Sequence, residues 1–375
     1  MMRHKFLFLF LFLVISCYVP NIFSQTTEQF KVLSDLKIDS GLSITIYASD
    51  IDSPRQLAAS KDGRIYVGSR NSGKIFAIRD TDQNGVVDEK VLVAENLTFA
   101  TGVSMHDGDL FFSEIDKIWK IENISEKLDR GSAALPAKTL VTNDLPSDKW
   151  HGWKWIKHDK NGDLYTNVGA PCNVCESKDK RYASILRLNG ESWEYVARGV
   201  RNSVGFDFHP ESDKLYFTDN GRDWLGDDSP SCELNRVDKE GSFYGFPYKH
   251  ATDVIDPEFG MTDTGFDFVD PIAELGAHVA PTGVTFYDGL MFPEFNNNLF
   301  ITLHGSWNRS SKVGYKVIRI SLDAEGNMIS TKDFISGWLS GDEVLGRPSA
   351  PFVMKDGSIL ISDDKANLIY RVARN

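Results

Sequence analysis

One pattern of apolar and polar positions recurs along the chain: an apolar stretch, a turn rich in Asp, Asn and Gly, then a short alternating strand. It stands at 60–67, 106–112, 160–165, 210–217, 296–301 and 355–361. Taking the first strand residue of each copy as a marker gives Ile65, Leu110, Leu164, Leu215, Leu299 and Ile359, at intervals of 45, 54, 51, 84 and 60 residues. Asp-Gly and Asn-Gly between alternating apolar runs mark hairpins, because both residues tolerate the positive φ such turns need. Long helical periodicity is missing. Six strand-turn-strand copies predict an all-β fold, a six-bladed β-propeller with four-stranded antiparallel blades.

Leu42–Tyr47 alternates like a strand and precedes the first copy. It is expected to join the last blade, beside strands near Ile359 and Ile369, so that both chain ends lock the ring and no sheet edge stays bare. The 84-residue interval predicts an insertion at about 223–274, rich in Gly, Asp, Pro and aromatics, of the kind that often carries function. Residues 25–375 then form a single domain, a size propellers reach by adding blades rather than enlarging one core.

The first 24 residues break the pattern. Arg3 and Lys5 precede Phe6–Ile15, an unbroken apolar run. Such a run is too short for a membrane span, which needs about 20 residues, and it reads as a secretory signal peptide. Val14-Ile15-Ser16-Cys17 resembles a lipobox, which would leave a lipid anchor on Cys17. Ile22-Phe23-Ser24 before Gln25 resembles ordinary small-residue cleavage and is preferred. The expected location is periplasmic or secreted, as a free protein or a lipoprotein, with no membrane span. The net charge of −12 comes without any basic run. Nucleic acid is excluded as a partner, since phosphate contacts need clustered Lys and Arg.

Cys172, Cys175 and Cys232 lie beyond the signal. In an oxidising compartment Cys172 and Cys175 can staple a small loop. A c-type haem would need His where Glu176 stands, and zinc would need a second ligand pair that is not evident. Cys232 is left over.

Several segments carry candidate chemistry. Asp80-x-Asp82-x-Asn84-Gly85-x-x-Asp88 matches the opening of a calcium loop, with oxygens at alternate positions and Gly at the sixth. Val91 holds the twelfth place, where a bidentate Glu belongs, so a solvated turn is the alternative. His151 lies just ahead of the third copy, where a blade's inner strand faces the central channel, and imidazole is the side chain best placed to accept a proton near neutral pH. Arg201-Asn202 precedes the fourth copy and offers a fork of donors for carboxylates or quinone oxygens. The loop Thr218–Asp228 is dense in carboxylates and bends at glycines, which suits a hard cation. His278 and His304 flank the fifth copy, and Arg347 precedes the sixth.

Taken in order, His151-Gly152-Trp153, Gly169–Cys175, Ala197–Gly205, Asp219–Gly226 and His304–Arg309 resemble the glucose/sorbosone dehydrogenase family of soluble quinoproteins, in its sorbosone and pyranose dehydrogenase-like branch. The resemblance spans nearly the whole chain beyond the signal. It implies a six-bladed propeller holding pyrroloquinoline quinone (PQQ) in the central funnel with calcium, and oxidation of a sugar, sugar aldehyde or polyol. By resemblance His151 is the general base. Arg201 and Asn202 contact the quinone, and Arg201 stabilises charge developing on its oxygen. Gly221 and Arg222 supply backbone carbonyls to calcium, a Lewis acid on the quinone carbonyl. His278, His304 and Arg347 bind the cofactor. A chain without haem must pass its electrons to a separate acceptor, a cytochrome or a quinone. Two departures stand out. Ala170 replaces the Asp that orients the basic His in the glucose dehydrogenase branch, and Cys232-Glu233 replaces a paired acidic step. Two other readings remain at this stage: a calcium-dependent lactonase propeller, which would need side-chain carboxylates converging on the metal, and a non-catalytic ligand-binding propeller.

Overall fold

The computed structural model describes residues 27–132 and 134–375. The expected signal peptide and Cys17 lie outside the described residues. Six antiparallel sheets follow one another around an axis, and each has four blade strands. The first and second strands of successive blades are Pro54–Ala59 and Ile65–Ser69, Val103–His106 and Asp109–Ser113, Ile156–His158 and Leu164–Val168, Phe206–Phe208 and Leu215–Asp219, Pro281–Phe286 and Leu299–Leu303, and Pro348–Val353 and Ile359–Asp363. All six sequence markers thus fall on second strands. Leu42–Ser49 pairs antiparallel with Leu368–Arg374 and completes the sixth blade, as the alternation required. Among the described residues no helix is long and apolar enough to cross a membrane.

The insertion is narrower than the sequence indicated. Ser231–Arg236 is the third strand of the fourth blade, and Ala273–Ala277 is its fourth. The excursion lies between them. Its Ser242–Phe243 runs parallel to Ser192–Arg198 and adds a fifth strand to the third blade. Lys37–Ile38 adds a fifth strand to the fifth blade in the same manner, though antiparallel.

The apolar core divides into six clusters, each wedged between two successive blades. The largest joins the fifth and sixth blades through Phe300, Tyr315, Trp338 and Tyr370, all essentially inaccessible to water. A second set of contacts runs nearer the axis. The second strand of one blade sends a fully buried polar side chain to a backbone carbonyl at the start of the next. Ser113 Oγ donates to Lys154 O at 3.2 Å, Asn167 Nδ2 to Ser203 O at 2.7 Å and Thr218 Oγ1 to Thr282 O at 3.0 Å. Thr302 Oγ1 donates to Ser349 O at 2.9 Å, and Ser362 Oγ closes the ring on Arg55 O at 2.9 Å. Backbones approach closely here. A Cβ on Gly205 would sit 2.3 Å from Thr282 O, and one on Gly283 would sit 2.6 Å from Ala350 Cα. Only glycine fits at such a distance.

Thr218→Val keeps the side-chain shape but leaves the Thr282 carbonyl short of its donor. Stability from urea unfolding is expected to fall by about 1–3 kcal/mol, the cost of an unsatisfied buried polar group; a neutral result would show that the bond does not hold these blades together.

Candidate active site in the propeller axis

The strand ends at one mouth of the ring enclose a cavity of about 480 Å³. Its wall contains Arg55, Arg70, Lys149, Arg201 and Arg347 as cations, against Asp223 as the one carboxylate. The chain is acidic overall, so this concentration of positive charge is local and built by the fold. The structure brings together His151, Arg201, Asn202, Gly221, His278, His304 and Arg347 in this wall.

His151 lies on the loop ahead of the third blade with φ +51°, in the left-handed region. Gly169 makes room for it: a Cβ there would sit 2.6 Å from His151 Cβ and 3.1 Å from Asn202 Oδ1. His151 Nδ1 donates to Ala170 O at 2.9 Å. Among the described residues Nε2 has no hydrogen-bond partner, and it is the unprotonated nitrogen of that tautomer. Burial, reinforced by the nearby Arg201 charge and opposed by the Ala170 carbonyl, pushes the His151 pKa down to about 3. His151 is therefore a neutral, correctly turned base across the physiological range. A backbone carbonyl at 170 does the orienting that the sequence comparison assigned to an Asp side chain in the glucose dehydrogenase branch.

Arg201 is buried, and its guanidinium is held on several sides. Nε donates to Asn173 O at 2.8 Å and Nη1 to Asn220 O at 3.1 Å. Nη2 reaches Asn173 Oδ1 at 2.9 Å and Asp223 Oδ2 at 3.1 Å. Asn173 sits in the loop stapled by the Cys172–Cys175 disulfide, so the staple expected from the C-x-x-C is present and shapes the socket of a charged group. Most Arg201 donors are spent on protein, which fixes it as a positioned charge. Buried Asp219 pins the same segment, accepting the backbone amides of Arg201 and Asn202 at 2.8 and 2.7 Å. Asn202 Oδ1 is buried without a partner. On the far wall His304 Nε2 donates to Asp364 Oδ1 at 2.8 Å, while Nδ1 accepts from Arg347 Nη1 at 3.3 Å. Burial lowers the His304 pKa against the pull of Asp364. His278 Nε2 bonds Gly226 O at 2.8 Å and ties down the 219–228 loop.

The Arg222 side chain pairs with buried Asp256, because a cation leaving water needs a partner; its backbone carbonyl, the group the resemblance assigned to calcium, follows Gly221 of the cavity wall. Asp80, Asp82, Asn84 and Asp88 form a turn whose carboxylates cap amides: Asp80 takes those of Asn84 and Gly85, and Asp88 takes that of Thr81. Among the described residues no group of three or more His, Cys, Asp or Glu side chains converges on a point that could hold a metal. Cys232 is a buried free thiol in the cavity wall, its pKa pushed up to about 11 by burial.

Arg55, Arg70 and Asp364 were not singled out from the sequence. Asp364 follows a blade's second strand as His304 does, and Arg70 stands just past Ser69 in the same way, so the repeat register held the signal. Arg70 packs 4.4 Å over the Trp153 ring, and its Nε is buried without a partner. Burial, aided by Arg55 and opposed by Asp364, lowers its pKa to about 10.

Fold and site together define a six-bladed propeller enzyme scaffold whose axial pocket is built around a neutral histidine and fixed cations. The TrAA12-like family pattern matches residues 36–258 and 261–338, and the chain belongs to that family. This agrees with the resemblance drawn from the motifs. An uncharacterized protein of Borreliella burgdorferi is 36% identical over 99% of both chains. Among solved structures, the holo PQQ domain of pyranose dehydrogenase from Coprinopsis cinerea superposes with a TM-score of 0.76 at 18% identity, covering 90% of this chain and 97% of that one. The calcium structure of the Trichoderma reesei family AA12 enzyme gives 0.75 at 17%, covering 91% and 97%. The PQQ-bound aldose sugar dehydrogenase of Streptomyces coelicolor gives 0.64 at 17%, covering 90% of this chain and 100% of that one.

A neutral His151 in the folded protein contributes stability that is complete above the unfolded histidine pKa of about 6.5 and is lost as pH falls towards about 3. Nitrogen-15 histidine spectra are expected to show Nε2 of His151 unprotonated down to about pH 4. Protonation near pH 6 would contradict the buried geometry.

Proposed function

We propose that this protein is a PQQ- and calcium-dependent dehydrogenase oxidising a sugar, sugar aldehyde or polyol, exported to the periplasm or the medium. The observation that carries the reading is the axial wall. It gathers Arg55, Arg70, Lys149, Arg201 and Arg347 around one cavity with a free imidazole nitrogen. PQQ is a flat o-quinone with three carboxylates, and that charge balance suits it. The unpartnered Asn202 Oδ1 and Arg70 Nε are buried polar atoms that a polar ligand would satisfy. The cavity volume falls within the usual range for cofactor sites.

Arg70, Arg201, Arg347 and Asn202 would hold PQQ, and the carbonyls of Gly221 and Arg222 would meet calcium. When bound, the quinone accepts hydride and calcium polarises its carbonyl. His151 Nε2 takes the proton of the substrate hydroxyl, and the Ala170 carbonyl keeps Nδ1–H fixed while it does so. Arg201, clamped by Asn173 and Asp223, presents its positive charge without moving, so no reorganisation is needed as negative charge grows nearby. Trp150 and Trp153 flank the imidazole at ring-centroid distances of 5.7 and 6.2 Å. The lactonase reading asks for converging carboxylates, and the wall offers Asp223, already paired with Arg201.

Purified protein loaded with PQQ and calcium is expected to reduce a dye with a panel of aldoses, sugar aldehydes and polyols. His151→Ala should lose about 10²–10⁴-fold in kcat while still binding PQQ. Lactone hydrolysis without PQQ would replace this reading, and absence of both PQQ binding and turnover would leave a ligand-binding propeller.

A further inference from the structure

A second cavity of about 430 Å³ lies on the other side of the Gly169–Cys175 loop. Ala170 lines it, and the carbonyl of that residue holds His151 in the axial pocket. Gly199 lines it too, two residues before Arg201. The His151 imidazole and the Ala170 backbone that holds it therefore stand between the two cavities.

The walls are aromatic. Phe243 and Phe266 stack at 4.3 Å with an interplanar angle of 10°, and Tyr182, Tyr195 and Tyr248 complete the lining. The Arg198 guanidinium lies 5.3 Å from the Phe266 ring centre. Phe266, stacked on Phe243 on one side, remains 39% exposed on the cavity rim. The rim's polar groups are largely satisfied within the protein. Tyr248 Oη donates to Glu176 at 2.9 Å, Tyr182 Oη donates to Asp148, and Asp179 is held by Arg181 at 2.7 Å. A sugar needs a hydrogen-bond partner for each hydroxyl, and here few remain. Among the described residues the side-chain donors left free at this cavity are the Ser177 and Tyr195 hydroxyls, the Lys180 ammonium and the outer nitrogens of Arg198, a set that matches one or two carbonyl oxygens on a flat ring.

We infer that this cavity is a docking site for a benzoquinone-type electron acceptor, its ring laid against Phe266 and Tyr248 and its carbonyls met by Arg198, Lys180 and Tyr195. The role rests on the dehydrogenase reading; the binding does not. Oxidising an alcohol carbon to a carbonyl breaks one C–H and one O–H bond and releases two electrons and two protons. One quinone takes up both, forming two O–H bonds as it becomes the hydroquinone. The route between the cavities runs through the hydrogen bond from His151 to Ala170 O.

Decylubiquinone, whose ring is fully substituted and does not alkylate thiols, tests the site by titration calorimetry on the intact protein without PQQ. Saturable binding is expected. Phe266→Ala, at an exposed ring, should raise Kd about tenfold, and Ser177→Trp, which fills the cavity from its rim, should abolish binding. In the PQQ-loaded enzyme Ser177→Trp should lose decylubiquinone reduction while dye reduction stays. No binding to the wild-type protein, binding indifferent to both substitutions, or binding of a sugar in place of the quinone would overturn the site. Binding without turnover of any substrate would keep the site and remove the dehydrogenase reading instead. Turnover of dye without quinone binding would do the reverse.

Discussion

The ring of buried side chains that donate to carbonyls of the next blade is the constraint on which the rest of the structure depends. Ser113, Asn167, Thr218, Thr302 and Ser362 each spend their hydrogen bond across a blade boundary, close to the axis, where water cannot compete. Apolar wedges alone would let neighbouring sheets slide, because hydrophobic contact is not directional. A donor fixed to a particular carbonyl sets the registry at five of the six boundaries, and between the first and second blades the Val103 amide donates to Gln56 Oε1 instead. Six blades in fixed registry bring the ends of distant strands to within contact of one cavity.

That registry explains why the pocket can be strongly cationic in an acidic chain. Arg55, Arg201 and Arg347 come from the first, fourth and sixth blades, and each is held by groups from elsewhere. Arg55 pairs with Asp364 at 2.5 Å, and Arg201 is caged by Asn173 and Asp223. Among the described residues neither Arg70 nor Arg347 has a carboxylate within ion-pair distance, and Asp364 reaches Arg70 only at longer range. Pre-positioned charge of this kind is effective only where the scaffold resists relaxation. The hydrogen-bonded ring supplies that resistance.

The insertion does structural as well as local work. Ser242–Phe243 extends the third blade, and Phe243 closes over Gly199 on the chain that leads to Arg201. The disulfide loop, the insertion and the segment 198–202 thus form one packed unit between two cavities. A change in any of the three would reach both the base and the fixed cation.

The sequence by itself determined the repeat, its six-fold count, the closing strand at 42–47 and the pairing of Cys172 with Cys175. Those features are written in turn residues, strand alternation and local spacing, all of which act over a few neighbours. It also pointed to His151, Arg201, Asn202, His278, His304 and Arg347, since the repeat placed each beside a channel-facing strand. Tertiary structure alone decided what orients His151, because a backbone carbonyl is the same at every residue and leaves no mark in the sequence. It decided that Arg222 turns to Asp256, and that Asp364 serves both Arg55 and His304, because such pairs join residues far apart in the chain. The aromatic cavity behind Ala170 belongs to the same class: its rings are scattered from Tyr182 to Phe266 and meet only when the insertion folds back on the third blade.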